Sequence, residues 1–198
     1  MIRIILSDPL VSIGRTDVYM SISRMMQGFF DKVAQRMTPK DKIQVLFPAG
    51  GFQATDLDII VYYTPMDFSV VSRLVNEKVD PLRVKHWGWT ASERPSGSAG
   101  NAHLKRASEV YAKMIDAEVL AKLAFHEAMH NKLRQGAELH AGGGLASAGV
   151  GSDKSLSDDN IAAMAAAMRT PVKQWPEGFE VLRQARLRRD ANDPFWNV

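Results

Sequence analysis

The sequence predicts an α+β fold: five strand segments, a long helix after the first, a second long helix after the fifth, and a helical C-terminal part. Three observations predict it. Short apolar runs rich in β-branched and aromatic residues recur through the first 115 positions. In two windows, 17–37 and 116–135, the apolar residues return every three or four positions, the period of a helix with one buried face. The composition, 45% hydrophobic and 24% charged over 198 residues, suits one substantial core. A single domain spanning 1–198 is expected, with 1–135 holding the sheet and both long helices and 136–198 forming the C-terminal part.

Taken in order, Ile2 to Ser7 reads as a buried strand. Val18, Ile22, Met25, Met26, Phe29, Val33 and Met37 then trace one stripe, so 17–37 is a helix whose Met and Phe residues are core material. Residues 42–47 and 57–63 read as strands parted by the turn Pro48-Ala49-Gly50-Gly51, and a short helix is expected over 68–78, before Pro81. The fourth strand is Lys85-His86-Trp87-Gly88-Trp89-Thr90 and the fifth is 109–115. Between them 94–101, rich in Pro, Ser and Gly, reads as a loop placed to act as a lid. Asp116 is the N-cap of the second long helix and Gly136 its expected C-cap. The Gly, Ala and Ser run of 141–151 reads as adaptable backbone; without a preceding strand or a Lys-Ser/Thr pair it is not a nucleotide loop. Ser157 caps the next helix, with Leu156 placed to staple against Ile161. Pro171 and Pro176 then break the chain before a final helix over 177–189.

The second long helix carries the chemistry. It reads Phe125-His126-Glu127-Ala128-Met129-His130, an H-E-x-x-H spacing in which residues four apart stand one above the other and can aim two imidazoles at one metal ion. Glu127 sits beside them as a general base that need not ligate the metal. Val119, Leu123, His126, His130 and Leu133 share one stripe, which turns both His inward. The chain has no Cys, so a metal must be held by His and carboxylates. A catalytic zinc site takes three protein ligands, and His140 is the nearest third donor, with Glu138, Asp153, Asp158 and Asp159 as rivals.

A helix with H-E-x-x-H, closed by a Gly and followed by a third His, resembles the metzincin branch of the zincin-type zinc metallopeptidases, whose pattern is H-E-x-x-H-x-x-G-x-x-H. Here Gly136 comes six residues after His130 and His140 four after Gly136. Four extended residues span about 13 Å, enough for a return to the metal. The Met-turn of that family has no counterpart between His140 and Ser155, and Met164 reads as core. Leu156-Ser157-Asp158-Asp159 is similar to the start of the last helix of matrix metallopeptidases. The resemblance implies a mixed, twisted five-stranded sheet packed on the long N-terminal helix and the active-site helix. It also implies an antiparallel fourth strand, with Trp87, Gly88 and Trp89, that pairs with an extended peptide or protein substrate. The implied activity is peptide-bond hydrolysis with Zn2+ as cofactor, His126, His130 and His140 as ligands, and Glu127 assisting attack by a zinc-bound water. Tyr111, His86 and His103 are the candidate oxyanion donors. The alternative from another class is a zincin scaffold that binds zinc as a structural or interaction module; a toxin or effector peptidase is a third.

Other classes find little support. The net charge is +3, and Arg183, Arg186, Arg188 and Arg189 read as a solvated helix face, so no nucleic-acid partner is expected. Asp8-Pro9 interrupts the apolar start, and no run has transmembrane length, so no signal peptide and no membrane partner are expected. A cytoplasmic protein, or one exported by a non-classical route, is the corresponding expectation.

Overall fold

A computed structural model describes residues 1–8, 11–48, 54–64, 88–90, 108–112, 115–133, 135 and 137–171. Its strands are β1 (Ile2–Ser7), β2 (Ile43–Leu46), β3 (Ile59–Thr64), β4 (Gly88–Thr90) and β5 (Ser108–Tyr111). The helices are α1 (Thr16–Arg36), α2 (Ala117–Leu133) and α3 (Asp158–Ala167), with 3-10 turns at Ala137–Gly142 and Gly144–Ala146. Four strands run parallel in the order β2-β1-β3-β5, and the three-residue β4 adds antiparallel to β5 at the edge. The expected α+β fold with a five-stranded mixed sheet is instead a mixed α/β arrangement, a four-stranded parallel sheet to which the expected antiparallel fourth strand adds only three residues.

Parallel pairing requires crossovers, and α1 supplies the first of them. The chain leaves β1, runs along α1 and re-enters beside β1 as β2, with Ile2 opposite Ile43 and Ile5 opposite Leu46. Side chains alternate across a strand, and one face of the sheet contributes Ile2, Ile4, Leu6, Ile43, Ile59, Val61, Tyr63 and Val110 to the main core. Val18, Ile22, Met26, Phe30 and Val33 of α1 pack onto it, as do Leu120, Ala121, Ala124, Phe125 and Ala128 of α2. Phe125 lies 5.1 Å from Phe30 between ring centroids, at the meeting of the two helices. Ile161, Met164 and Met168 bring α3 and the turn after it into the same cluster, so Met164 is core as expected. The opposite sheet face is also buried, at Ile5, Ile60, Tyr62 and Tyr111.

Two boundaries depart from expectation for identifiable reasons. The α1 stripe runs through Met26 and Phe30, which leaves Met25 exposed, because a 3.6-residue period cannot bury both members of each adjacent pair. β5 covers 108–111 instead of 109–115, since Asp116 caps α2 and Ile115 stands 40% exposed in the link. The short helix over 68–78, the loop of 94–101, the Gly136 cap, the final helix over 177–189 and its Arg residues lie outside the described residues, as do His86, Trp87 and His103. Among the described residues no helix is long and apolar enough to cross a membrane.

Candidate metal centre

α2 begins where the sequence sets it. The Asp116 carboxylate accepts the backbone N–H groups of Glu118 at 2.9 Å and Val119 at 3.0 Å, satisfying two donors that a helix start leaves open. Beyond that cap the helix departs from a one-sided stripe, because every residue from Leu120 to Lys132 is buried. Buried polar side chains then need partners, and those on α2 find them in neighbouring elements. Asn131 donates to Ser108 Oγ at 2.7 Å, and that hydroxyl donates to the Glu127 carbonyl at 3.2 Å. Lys122 donates to the Ser152 carbonyl at 2.9 Å, and Lys132 to the carbonyls of Thr170 at 2.7 Å and Leu57 at 3.3 Å. These bonds fix α2 against β5, the start of β3 and the chain that returns after it.

His126 and His130, one helical turn apart, bring their Nε2 atoms to 3.0 Å from each other. The 3-10 turn Ala137–Gly142 sets His140 over them, with its Nε2 3.2 Å from that of His130. The three residues form a possible metal-holding group whose donor atoms all lie within 4.8 Å of one another. Nitrogens bound at about 2.0–2.1 Å to a tetrahedral ion stand about 3.3 Å apart, so the two close spacings already suit one ion. Among the described residues that could ligate a metal, Glu138, Asp153, Asp158 and Asp159 do not join this group.

The far sides of the rings explain why the nitrogens face each other. His126 Nδ1 lies 2.6 Å from the Leu145 carbonyl, and His130 Nδ1 lies 2.7 Å from that of Gln135. A carbonyl only accepts, so each Nδ1 carries the proton and each Nε2 turns a lone pair into the centre. Burial, followed by the neighbouring charge of His130, pushes His126 down to about 4, and burial lowers His130 as well. At neutral pH the two imidazoles are thus unprotonated, the form that binds a metal. Facing lone pairs repel unless a cation lies among them, and an all-imidazole donor set suits zinc or a neighbouring divalent transition metal. The residues fit the ion.

Glu127 is 4% exposed and follows His126 directly on the buried helix. Gly88 and Trp89 lie in β4, paired with Val110 and Glu109, and the strand packs beside α2. Tyr111 does not reach the centre. Ser108 and Val110 face α2, so alternation sends Tyr111 to the buried opposite face of the sheet, and its expected role as oxyanion donor falls. Three participants escaped the sequence: the carbonyls of Leu145 and Gln135, which no side-chain pattern announces, and Asn160, whose amide holds the Leu145 N–H at 2.8 Å. The Ser157-to-Asn160 spacing does signal a capping box, but not this long-range bond. The chain matches no protein-family profile, no curated protein and no solved structure.

Proposed function

We propose that the protein is a zincin-type zinc metallopeptidase. The observation that carries this reading is the convergence of three imidazole nitrogens, two of them from a helix that sets Glu127 directly after the first ligand. The order of elements supports it, with α1 after the first strand, α2 after the fifth, and an antiparallel edge segment beside α2. Within that class the third ligand favours the metzincin-like branch, since His140 and not a carboxylate joins the pair.

The chemistry divides between ion and chain. A zinc ion held by His126, His130 and His140 supplies Lewis acidity toward a peptide carbonyl and acidifies a water molecule. Glu127 takes the proton of the attacking water as the C–O bond forms, and delivers it to the leaving nitrogen as the tetrahedral adduct collapses and the C–N bond breaks. The carbonyls of Leu145 and Gln135 keep His126 and His130 in the ligating tautomer. The outer edge of β4 offers backbone groups to an extended substrate, which aligns its scissile bond along α2.

The test is the zinc content of the purified protein together with its cleavage of an unstructured protein such as casein. Wild type is expected to hold about one zinc per chain and to cleave. Glu127→Ala is expected to keep the zinc and lose activity by at least about 10³-fold, the general-base contribution at the middle of its usual range. Activity retained in that variant, or a zinc-loaded wild type that cleaves nothing, sinks the peptidase reading.

A further inference from the structure

Asn160 lies outside the ligand set, yet it is 2% exposed and its amide spans two elements. Its Oδ1 accepts the Leu145 N–H at 2.8 Å and the Ser157 N–H at 3.4 Å, and its Nδ2 donates to the Gly143 carbonyl at 3.2 Å. Its own backbone N–H binds Ser157 Oγ at 3.2 Å, the other half of the α3 capping box. The 3-10 turn Gly144–Ala146 is thereby clasped from both sides of residue 144. The approach is close: a Cβ on Gly144, where φ is +56°, would stand 2.6 Å from Asn160 Oδ1.

What the clasp holds is the backbone from Gly143 to the nitrogen of Leu145, and the carbonyl of that same Leu145 accepts the Nδ1–H of His126 at 2.6 Å. A bond that short orients the ring only if the acceptor is itself fixed. Ala146 N–H to the Gly143 carbonyl, at 2.9 Å, is the turn's own closing bond and leaves the Leu145 carbonyl to His126. Asn160 is the side chain that ties this turn to α3.

We propose that Asn160 is a positioning residue for the metal centre: by holding the Gly143–Leu145 turn it fixes the Nδ1–H tautomer and the aim of His126 from the N-terminus of α3. The proposal rests on the metallopeptidase reading above for its purpose, but its geometry concerns only this chain's own groups. Capping and positioning are separable here. Ser157→Ala removes the hydroxyl that caps α3 and leaves the Asn160 bonds to residues 143 and 145, whereas Asn160→Ala removes those bonds.

Two readouts test it. The first is zinc affinity, by competition with a chromophoric chelator; the second is the His126 tautomer in the metal-free protein, by ¹⁵N NMR of histidine-labelled chain. Asn160→Ala is expected to weaken zinc binding about tenfold, the low end for outer partners of a metal ligand, and to turn His126 from the Nδ1–H form into a mixture. Ser157→Ala is expected to stay within about twofold of wild type and to keep the tautomer. If Asn160→Ala does not fold, Asn160→Asp replaces it: the cap and the Leu145 bond survive, but a carboxylate oxygen faces the Gly143 carbonyl, and the same tenfold weakening is expected. Zinc binding equal to that of Ser157→Ala, with the His126 tautomer unchanged, overturns the proposal. A wild type that binds no zinc sinks the peptidase reading alone, and the tautomer comparison still decides the role of Asn160.

Discussion

His140 and Asp58 each have a measurable consequence. His140 is the one member of the triad not on α2; it approaches from the turn Ala137–Gly142, and its Nε2 reaches within 3.2 Å of that of His130. His140→Ala should drop zinc from about one per chain to well below half after dialysis, read by elemental mass spectrometry, because two imidazoles leave a catalytic zinc a ligand short. Asp58 is 1% exposed and accepts from Arg3 N at 3.0 Å, from the Arg3 guanidinium and from Thr55 N at 2.7 Å. Burial by itself would raise this carboxyl, and those donors outweigh it, leaving it below its ordinary value. A lowered folded value means that its stabilisation is full above the ordinary carboxylate range and is lost as pH falls through the folded value. Asp58→Asn should cost about 2 kcal/mol at pH 7, and the gap to wild type should narrow as pH falls below the ordinary carboxylate range, as urea unfolding at neutral and at acid pH would show. At this scale the sequence was legible where identity and spacing suffice: His126 and His130 one turn apart, and His140 by proximity. Tyr111 was misjudged because a strand's inward phase depends on its register, which the residue names do not state.

Two elements are finished by features that only the folded chain displays. β2 is an edge strand, and its outward Ile43 carbonyl and Val45 N–H are taken up by the Gln27 side chain of α1, at 3.0 Å and 2.8 Å. This closes an edge that would otherwise offer itself for pairing. Gln27→Ala should cost about 1–2 kcal/mol by chemical denaturation and raise aggregation on heating. The turn before α3 sets Gly143 and Gly144 both at positive φ, but a Cβ meets nothing at 143, while at 144 it would lie 2.9 Å from the Ser155 carbonyl and 3.0 Å from Ser157 Oγ. Alanine should cost about 1–3 kcal/mol of backbone strain at either position, and clearly more at 144, where the clash adds. α1 and α3 were legible because a buried stripe and a Ser-x-x-Asn cap are local patterns. α2 was placed correctly for the same reason, though its stripe described one face of a helix that tertiary packing buries all round. β5 ends at Tyr111, short of its expected bound, and the chain reaches the Asp116 cap of α2 five residues later.

For the whole molecule, α1, α2 and α3 share one core with one face of the sheet, so a ligand that binds the folded centre stabilises the entire assembly. Zinc at 100 times its dissociation constant adds about 2.7 kcal/mol, which for a chain of this size shifts thermal unfolding up by about 5–10 °C. Calorimetry should show that shift in wild type and its absence in His126→Ala. The order of the described strands and helices could be read from apolar periods; the expected α+β class gives way to mixed α/β because four strands pair in parallel, which no single strand's residues announce. The clasp of α3 on the return turn was not legible either, because it joins residues 143–145 to 160 through single atoms.

The three histidines of the triad and both carbonyls that orient the first two fall between residues 126 and 145. Joining the ends of a loop costs only about 0.6 kcal/mol more for each doubling of its length, so the absolute saving over a remote third ligand is modest. Its kinetic meaning is larger, since a 10-residue loop closes in about 10–100 ns, far ahead of any parallel strand pairing. The encounter of the three imidazoles is thus a short-range event along the chain, set by the formation of α2 and the swing of the chain just beyond it, while the sheet and α3 supply the contacts that then hold it.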